Sequence, residues 1–168
     1  QKNGTYKMIK YLLALTLVFA VAFSSCSGSD TEKGPGLKKK SYVYSLTDSS
    51  GGVLAEGTMD IASITKSAVT GMRNTYDVKG TYTISNITTD TMYTAFSTMS
   101  GGEMTGLYND SLKTIWINTN PNIADANVFI NANVTSSTMK GDWYYSTFRG
   151  KDKQGGFFNA NAVAKKTN

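Results

Sequence analysis

The sequence predicts an all-β domain, an antiparallel up-and-down β-barrel of about eight to ten strands, with a two-sheet β-sandwich as the alternative. Three observations predict it. From Ser41 onward side-chain character alternates with a period of two, as in Tyr42-Val43-Tyr44-Ser45-Leu46, Val128 to Val134 and Phe157 to Ala162. Thr, Tyr, Val, Ile and Phe are abundant, and the two prolines, at 35 and 121, lie outside the alternating runs. Turn-forming clusters recur at short intervals, and short connections favour antiparallel neighbours.

Taken in order, strands are expected near 41–48, 53–62, 66–72, 79–87, 92–99, 103–108, 112–118, 126–135, 139–149 and 155–165. The first ends at Asp48-Ser49-Ser50-Gly51-Gly52, the third at Arg73-Asn74, and the fourth at Asn86 to Asp90. Ser100-Gly101-Gly102 closes the fifth, Asn109-Asp110 the sixth, and Asn118-Thr119-Asn120-Pro121-Asn122 the seventh. Ser136-Ser137 and Lys151 to Gly155 close the next two. One segment reads two ways: in Ile61 to Met72, residues Ala62, Ile64, Ala68, Val69 and Met72 also fit a short helix.

A weak internal repeat supports the barrel. Glu56-Gly57-Thr58-Met59, Lys79-Gly80-Thr81-Tyr82 and Lys140-Gly141-Asp142-Trp143 share a charged residue, a glycine, a small polar residue and a large one. A glycine at the same point of successive strands lets a sheet bend, as closure requires. Thr105-Gly106-Leu107 and Thr70-Gly71-Met72 read as further copies.

Ahead of this domain lies a different kind of sequence. Lys7 and Lys10 precede an apolar run from Tyr11 to Phe23 that ends in Phe23-Ser24-Ser25-Cys26. The run of ~13 residues is shorter than the ~20 that a membrane-crossing helix needs, and its basic, apolar, small order is that of a secretory signal peptide. In these residues the chain resembles bacterial lipoproteins, whose signal peptides end in a lipobox. The resemblance implies cleavage before Cys26, its acylation, and anchoring in the cell envelope at the outer membrane, on the periplasmic or the cell-surface face. Phe23 stands where lipoboxes usually carry Leu or Val. Residues 1–7 precede Met8, the first methionine, and read either as untranslated or as an extended basic region.

The expected organisation is therefore a signal peptide over 1–25, a lipidated cysteine and flexible linker over 26–40, and the β domain over 41–168. The linker contains Ser27 to Gly36, with no apolar residue, and then Lys38-Lys39-Lys40, a solvated approach to the first strand or a contact for anionic head groups. Losing Lys2, Lys7 and Lys10 with the signal lowers the net charge from +5 to +2. The remaining basic residues are scattered, which argues against a nucleic-acid partner. One cysteine permits no internal disulfide, so stability must come from packing.

The chain has no histidine, which removes the commonest general base and most zinc sites. Its acids fall mostly in expected turns. Glu56 with Asp60 is the pair weighed as a carboxylate-based hydrolase centre, and ordinary surface carboxylates are the preferred reading. Asn109-Asp110-Ser111 and Asn120 with Asn122 and Asp125 supply too few charges for calcium. No enzyme and no cofactor is expected.

Aromatic residues are in surplus, with 2 Trp, 10 Tyr and 7 Phe. Trp143, Tyr145, Trp116 and Tyr82 are the candidate ligand-binding residues, as large rings able to line a barrel cavity. Core filling is the competing use of the same rings. Gly141-Asp142-Trp143 is similar to the Gly-x-Trp of lipocalin and avidin barrels, although there the motif lies near the first strand. The expected function is a lipid-anchored envelope protein that binds a small apolar molecule or glycan without catalysis. The alternative is a structural or accessory subunit docking an outer-membrane protein assembly. A lined cavity would favour the first, and a filled barrel with exposed aromatics the second.

Overall fold

The computed structural model describes residues 35–88, 93–97, 99, 101–123, 127–147 and 150–164. The expected signal peptide, Cys26 and most of the expected linker lie outside them. From Pro35 onward the chain forms one compact unit of eight antiparallel strands: β1 Ser41–Thr47, β2 Val53–Lys66, β3 Thr75–Ile87, β4 Gly102–Asn109, β5 Thr114–Asn118, β6 Asn127–Val134, β7 Thr138–Thr147 and β8 Gly150–Ala162. Each strand pairs with its successor, and β1 pairs with β8 from Tyr42↔Ala162 to Thr47↔Phe157. This last ladder makes the structure a closed barrel and sets the sandwich aside.

Inward positions follow the expected alternation. Tyr42, Tyr44 and Leu46 of β1, Val128, Ile130, Ala132 and Val134 of β6, and Phe158 and Ala160 of β8 are all buried. The opposite parity carries Asn131, Asn133 and Asn161, exposed on the outer face.

Closure depends on glycines that face inward. A Cβ built on Gly57 would lie 1.8 Å from the Thr83 carbonyl oxygen, and one on Gly156 would lie 1.9 Å from that of Thr47. At these points the neighbouring strand turns its carbonyl into the space a side chain would fill, so only glycine fits. Each inturned carbonyl then meets a ring. Tyr44 pairs with Gly57, and its hydroxyl donates to Thr83 O at 3.1 Å. Trp143 pairs with Gly156, and its Nε1 donates to Thr47 O at 2.8 Å. Each ring thus spans a glycine and satisfies a carbonyl that would otherwise be buried without a partner. Gly80, Gly106 and Gly141 stand equally close to carbonyls of Asp60, Trp116 and Asn131. The repeat is a set of bends, with one exception: Gly71 lies in the β2–β3 connection with a φ of 91°.

Three expectations are corrected. Residues 66–72 are not a strand, because β2 runs straight through Ile61 to Lys66 and the chain then turns to reach β3; the helix reading of the same segment fails with it. The expected strand at 92–99 is instead a short 3-10 helix, Thr94–Ser97. Tyr93, Phe96 and Met99 recur every third residue, the spacing of a 3-10 turn. The expected turn at Lys151 to Gly155 is instead part of β8. Ahead of β1, Leu37 is 1% exposed, within the compact unit that starts at Pro35.

We call the end where β1 begins and β8 finishes proximal, and the other distal. Both are covered. Across the proximal mouth runs Pro35–Lys40, a strap that starts at the β4–β5 turn, where Gly36 N donates to Asp110 Oδ1 at 2.8 Å. It finishes on the far side, where Lys40 Nζ donates to the Ser136 carbonyl and Lys40 O accepts from Ile61 N. Over the distal mouth lies the 3-10 helix, with Ala95 and Phe96 buried.

Candidate functional site

Three of the four expected binding residues fill the lumen. Trp143 is 1% exposed, and Phe96 of the distal cap packs on it with ring centroids 5.2 Å apart. Tyr145 is also buried. Tyr82 is buried just below the distal rim, with the Thr119 hydroxyl and the Gly101 backbone about its phenol; burial raises its pKa and those two contacts oppose the rise. Burial pushes the Tyr42 phenol up to about 12 and the Tyr44 phenol higher still, the latter with help from nearby Tyr82. Burial thus keeps the Tyr42, Tyr44 and Tyr82 phenols protonated at neutral pH, and the lumen rings serve as packing, with Tyr44 and Trp143 also donating to the bent strands.

Trp116 alone points outward. Ile115 and Ile117 take the inward positions of β5, so Trp116 lies half-buried on the outer face. It stacks on Phe129 of β6 at 5.3 Å and 19°, and Phe129 meets Tyr144 of β7 at 5.3 Å and 32°. Rings this close are stacked or tilted, not laid side by side. The ladder thus runs across β5, β6 and β7, with Leu107 of β4 paired to Trp116 beyond one end and Gly155 of β8 paired to Tyr144 beyond the other.

Trp116 also borders a groove. A cleft of about 250 Å³ is lined by Asp77, Lys79, Thr105, Leu107 and Trp116, together with the Val78 and Gly106 positions. Sharing Lys79 and Thr105 with it is a second cleft of about 380 Å³, which continues to Glu103, Pro121 and Asn122. Those three residues also line a third, of about 210 Å³, that reaches Tyr82 and Asn120 at the distal rim. The three form one groove along the outside of β3 and β4, ending at Trp116 and bordered by Asp77, Lys79, Glu103, Asn122 and Thr105. Sequence reasoning found Trp116 and Tyr82 but not the rest, because the groove is assembled by strand register and by the β5–β6 connection.

The carboxylates weighed as catalytic are engaged elsewhere. Glu56 and Asp60 share the outer parity of β2 four residues apart, about 13 Å along a strand, beyond the ~5–9.5 Å of a glycosidase pair. Asn86 reaches Glu56, and the Ser41 hydroxyl donates to Asp60. Asp48 caps the β1–β2 turn, accepting from Ser50 Oγ at 2.7 Å and Gly52 N at 2.8 Å, and these contacts hold its pKa below the usual carboxylate value. Among the described residues no three acids, histidines or cysteines converge in a metal-binding arrangement. No known protein family, curated protein or solved structure matches this chain.

Proposed function

We propose that this protein is a lipid-anchored component of the cell envelope, held at the outer membrane through Cys26, that binds a glycan without transforming it. The site is the outer groove. The observation that carries this reading is the half-buried indole of Trp116 lining a groove bordered by Asp77, Lys79, Thr105 and Glu103. A sugar ring offers a C–H face to an aromatic and hydroxyls to flanking acceptors and donors, and an elongated groove suits several linked rings. The filled lumen argues against a small apolar ligand inside the barrel, because Trp143 and Phe158 already occupy the space.

Titration of Trp fluorescence with chitohexaose, maltohexaose and mannohexaose tests the reading. A saturable change with one of them is expected, and Trp116→Ala should abolish it while the protein stays folded, the lost stacking on Phe129 costing about 1–2 kcal/mol. The second reading, an accessory subunit of an outer-membrane assembly, is favoured by the same filled lumen. It gains ground if no glycan titrates and Trp116→Ala instead breaks co-purification with a membrane complex.

A further inference from the structure

The proximal end carries two features that point to one partner. Its connections expose apolar side chains where turns usually place Gly, Asn or Ser. Leu112, in the β4–β5 turn, is 69% exposed, and Val69 and Met72 of the β2–β3 connection and Val163 after β8 are roughly half exposed. Around them are Lys38 and Lys39 on the strap, Lys40 at its end, Lys66 and Arg73 flanking the β2–β3 connection, and Lys113 beside Leu112. Asp110, the acid closest to these turns, is already bound by Lys113 at 2.8 Å. Asp77, two residues into β3, is the other acid near this end, and the cations outnumber the two.

The distal end makes the contrast. It too exposes Val53, Ile87 and Ile123, but the charged side chains described there are acids, Asp48, Glu56 and Glu103. In sequence Arg149 of the β7–β8 connection and Lys151 and Lys153 at the start of β8 stand against Asp90 and Asp125 of the connections and Asp152 of β8, three of each sign. Exposed apolar tips therefore occur at both ends, and only the proximal ones are set among cations.

We infer that the proximal end is a docking face for an anionic lipid surface, with Leu112, Val69 and Met72 entering the head-group layer and Lys38, Lys39 and Arg73 pairing with lipid phosphates. The inference deepens the lipid-anchor reading and rests on it for the choice of a membrane as occupant. The strap also begins at this end, and Pro35 is nine positions after Cys26, so an acylated Cys26 holds this face, and not the distal one, toward the bilayer. Apolar tips inside a basic collar combine the two attractions that hold peripheral proteins on membranes. Docked in this way, the barrel stands upright, with the outer groove rising from the membrane to the distal rim.

The test uses full-length protein recovered from membranes, with Cys26 acylation read by mass spectrometry of its peptide. Leu112→Trp and Ile123→Trp, both at exposed positions that leave the core intact, are placed on phosphatidylcholine vesicles with and without phosphatidylglycerol, the lipids carrying brominated acyl chains that quench tryptophan on contact. The expected result is quenching of Leu112→Trp on the phosphatidylglycerol vesicles, with Ile123→Trp and the parent protein unquenched. Added salt should weaken it, and so should Lys38→Gln with Lys39→Gln, each basic residue counting for about fivefold in association with an anionic surface. Equal quenching at 112 and 123, or none at 112, overturns the inference. If Cys26 carries no acyl chain, the anchor reading fails separately, and the same two variants added from solution still decide the docking face.

Discussion

At the proximal mouth an irregular, bent strap is pinned at both ends by hydrogen bonds and a charge, whereas at the distal mouth a 3-10 turn rests on ring contacts. Asp110 gathers Gly36 N, the Tyr108 hydroxyl and Lys113 Nζ at 2.8 to 2.9 Å. Phe96 instead lies between Tyr93 and Trp143, with ring centroids at 6.3 and 5.2 Å, and Gln154 Oε1 accepts from Ala95 N. Both caps bury an apolar side chain, Leu37 or Phe96, and they differ in what holds it. A cap held by charge responds to acid, while a cap held by apolar contact responds mainly to loss of volume.

The contrast can be broken by substitution. Phe96→Ala should have the largest effect, about 3–5 kcal/mol of stability lost in urea unfolding, as for other buried aromatic truncations. On a Trp116→Phe background it should also make Trp143 accessible to acrylamide. If Trp143 stays shielded, the 3-10 turn is not the distal closure. Leu37→Ala should cost less, about 2–3 kcal/mol, because the strap can settle into part of the space. It should leave Trp143 unquenched, and quenching there would mean that the two ends are not independent.

The smallest effect belongs to Asp110→Asn, about 1 kcal/mol, since the ion pair with Lys113 is partly exposed and screened. Its signature is pH dependence. The Lys113 ammonium, and after it the Gly36 amide, hold the Asp110 carboxyl below its ordinary value. A depressed carboxyl stabilises the fold above the unfolded pKa of ~3.9 and loses that contribution as pH falls through the folded value. Stability followed by urea unfolding between neutral pH and pH ~3 should therefore decline less in Asp110→Asn than in the parent. Parallel curves would remove Asp110 from the account of the strap.

Much of the barrel was legible because alternation is local. Tyr42, Tyr44 and Leu46, or Val128, Ile130 and Ala132, announce their own inward face, and Gly57, Gly80 and Gly141 mark bends wherever they recur before large residues. What the local pattern concealed has physical causes. Leu37 stands alone between Gly36 and Lys38, and a single apolar residue has no period. Tyr93, Phe96 and Met99 repeat every third position, and an aromatic segment of that kind resembles a strand unless the spacing is counted. Trp116 sits between two isoleucines, so its face depends on register with β4 and β6 and not on its neighbours in sequence. The groove, drawn from β3, β4 and the β5–β6 connection, exists only once those registers are set.

The strap has a mechanical consequence. Tension applied to the chain upstream of Pro35 reaches β1 only after the Gly36–Asp110 contact yields and Leu37 is drawn from its seat. Some six residues of slack, about 20 Å at ~3.4 Å each, would then be released. The ladders that hold β1 to β2 and β8 would meanwhile carry no load. Tension from that side is thus absorbed by a part that can re-seat, and the ring of strands is spared.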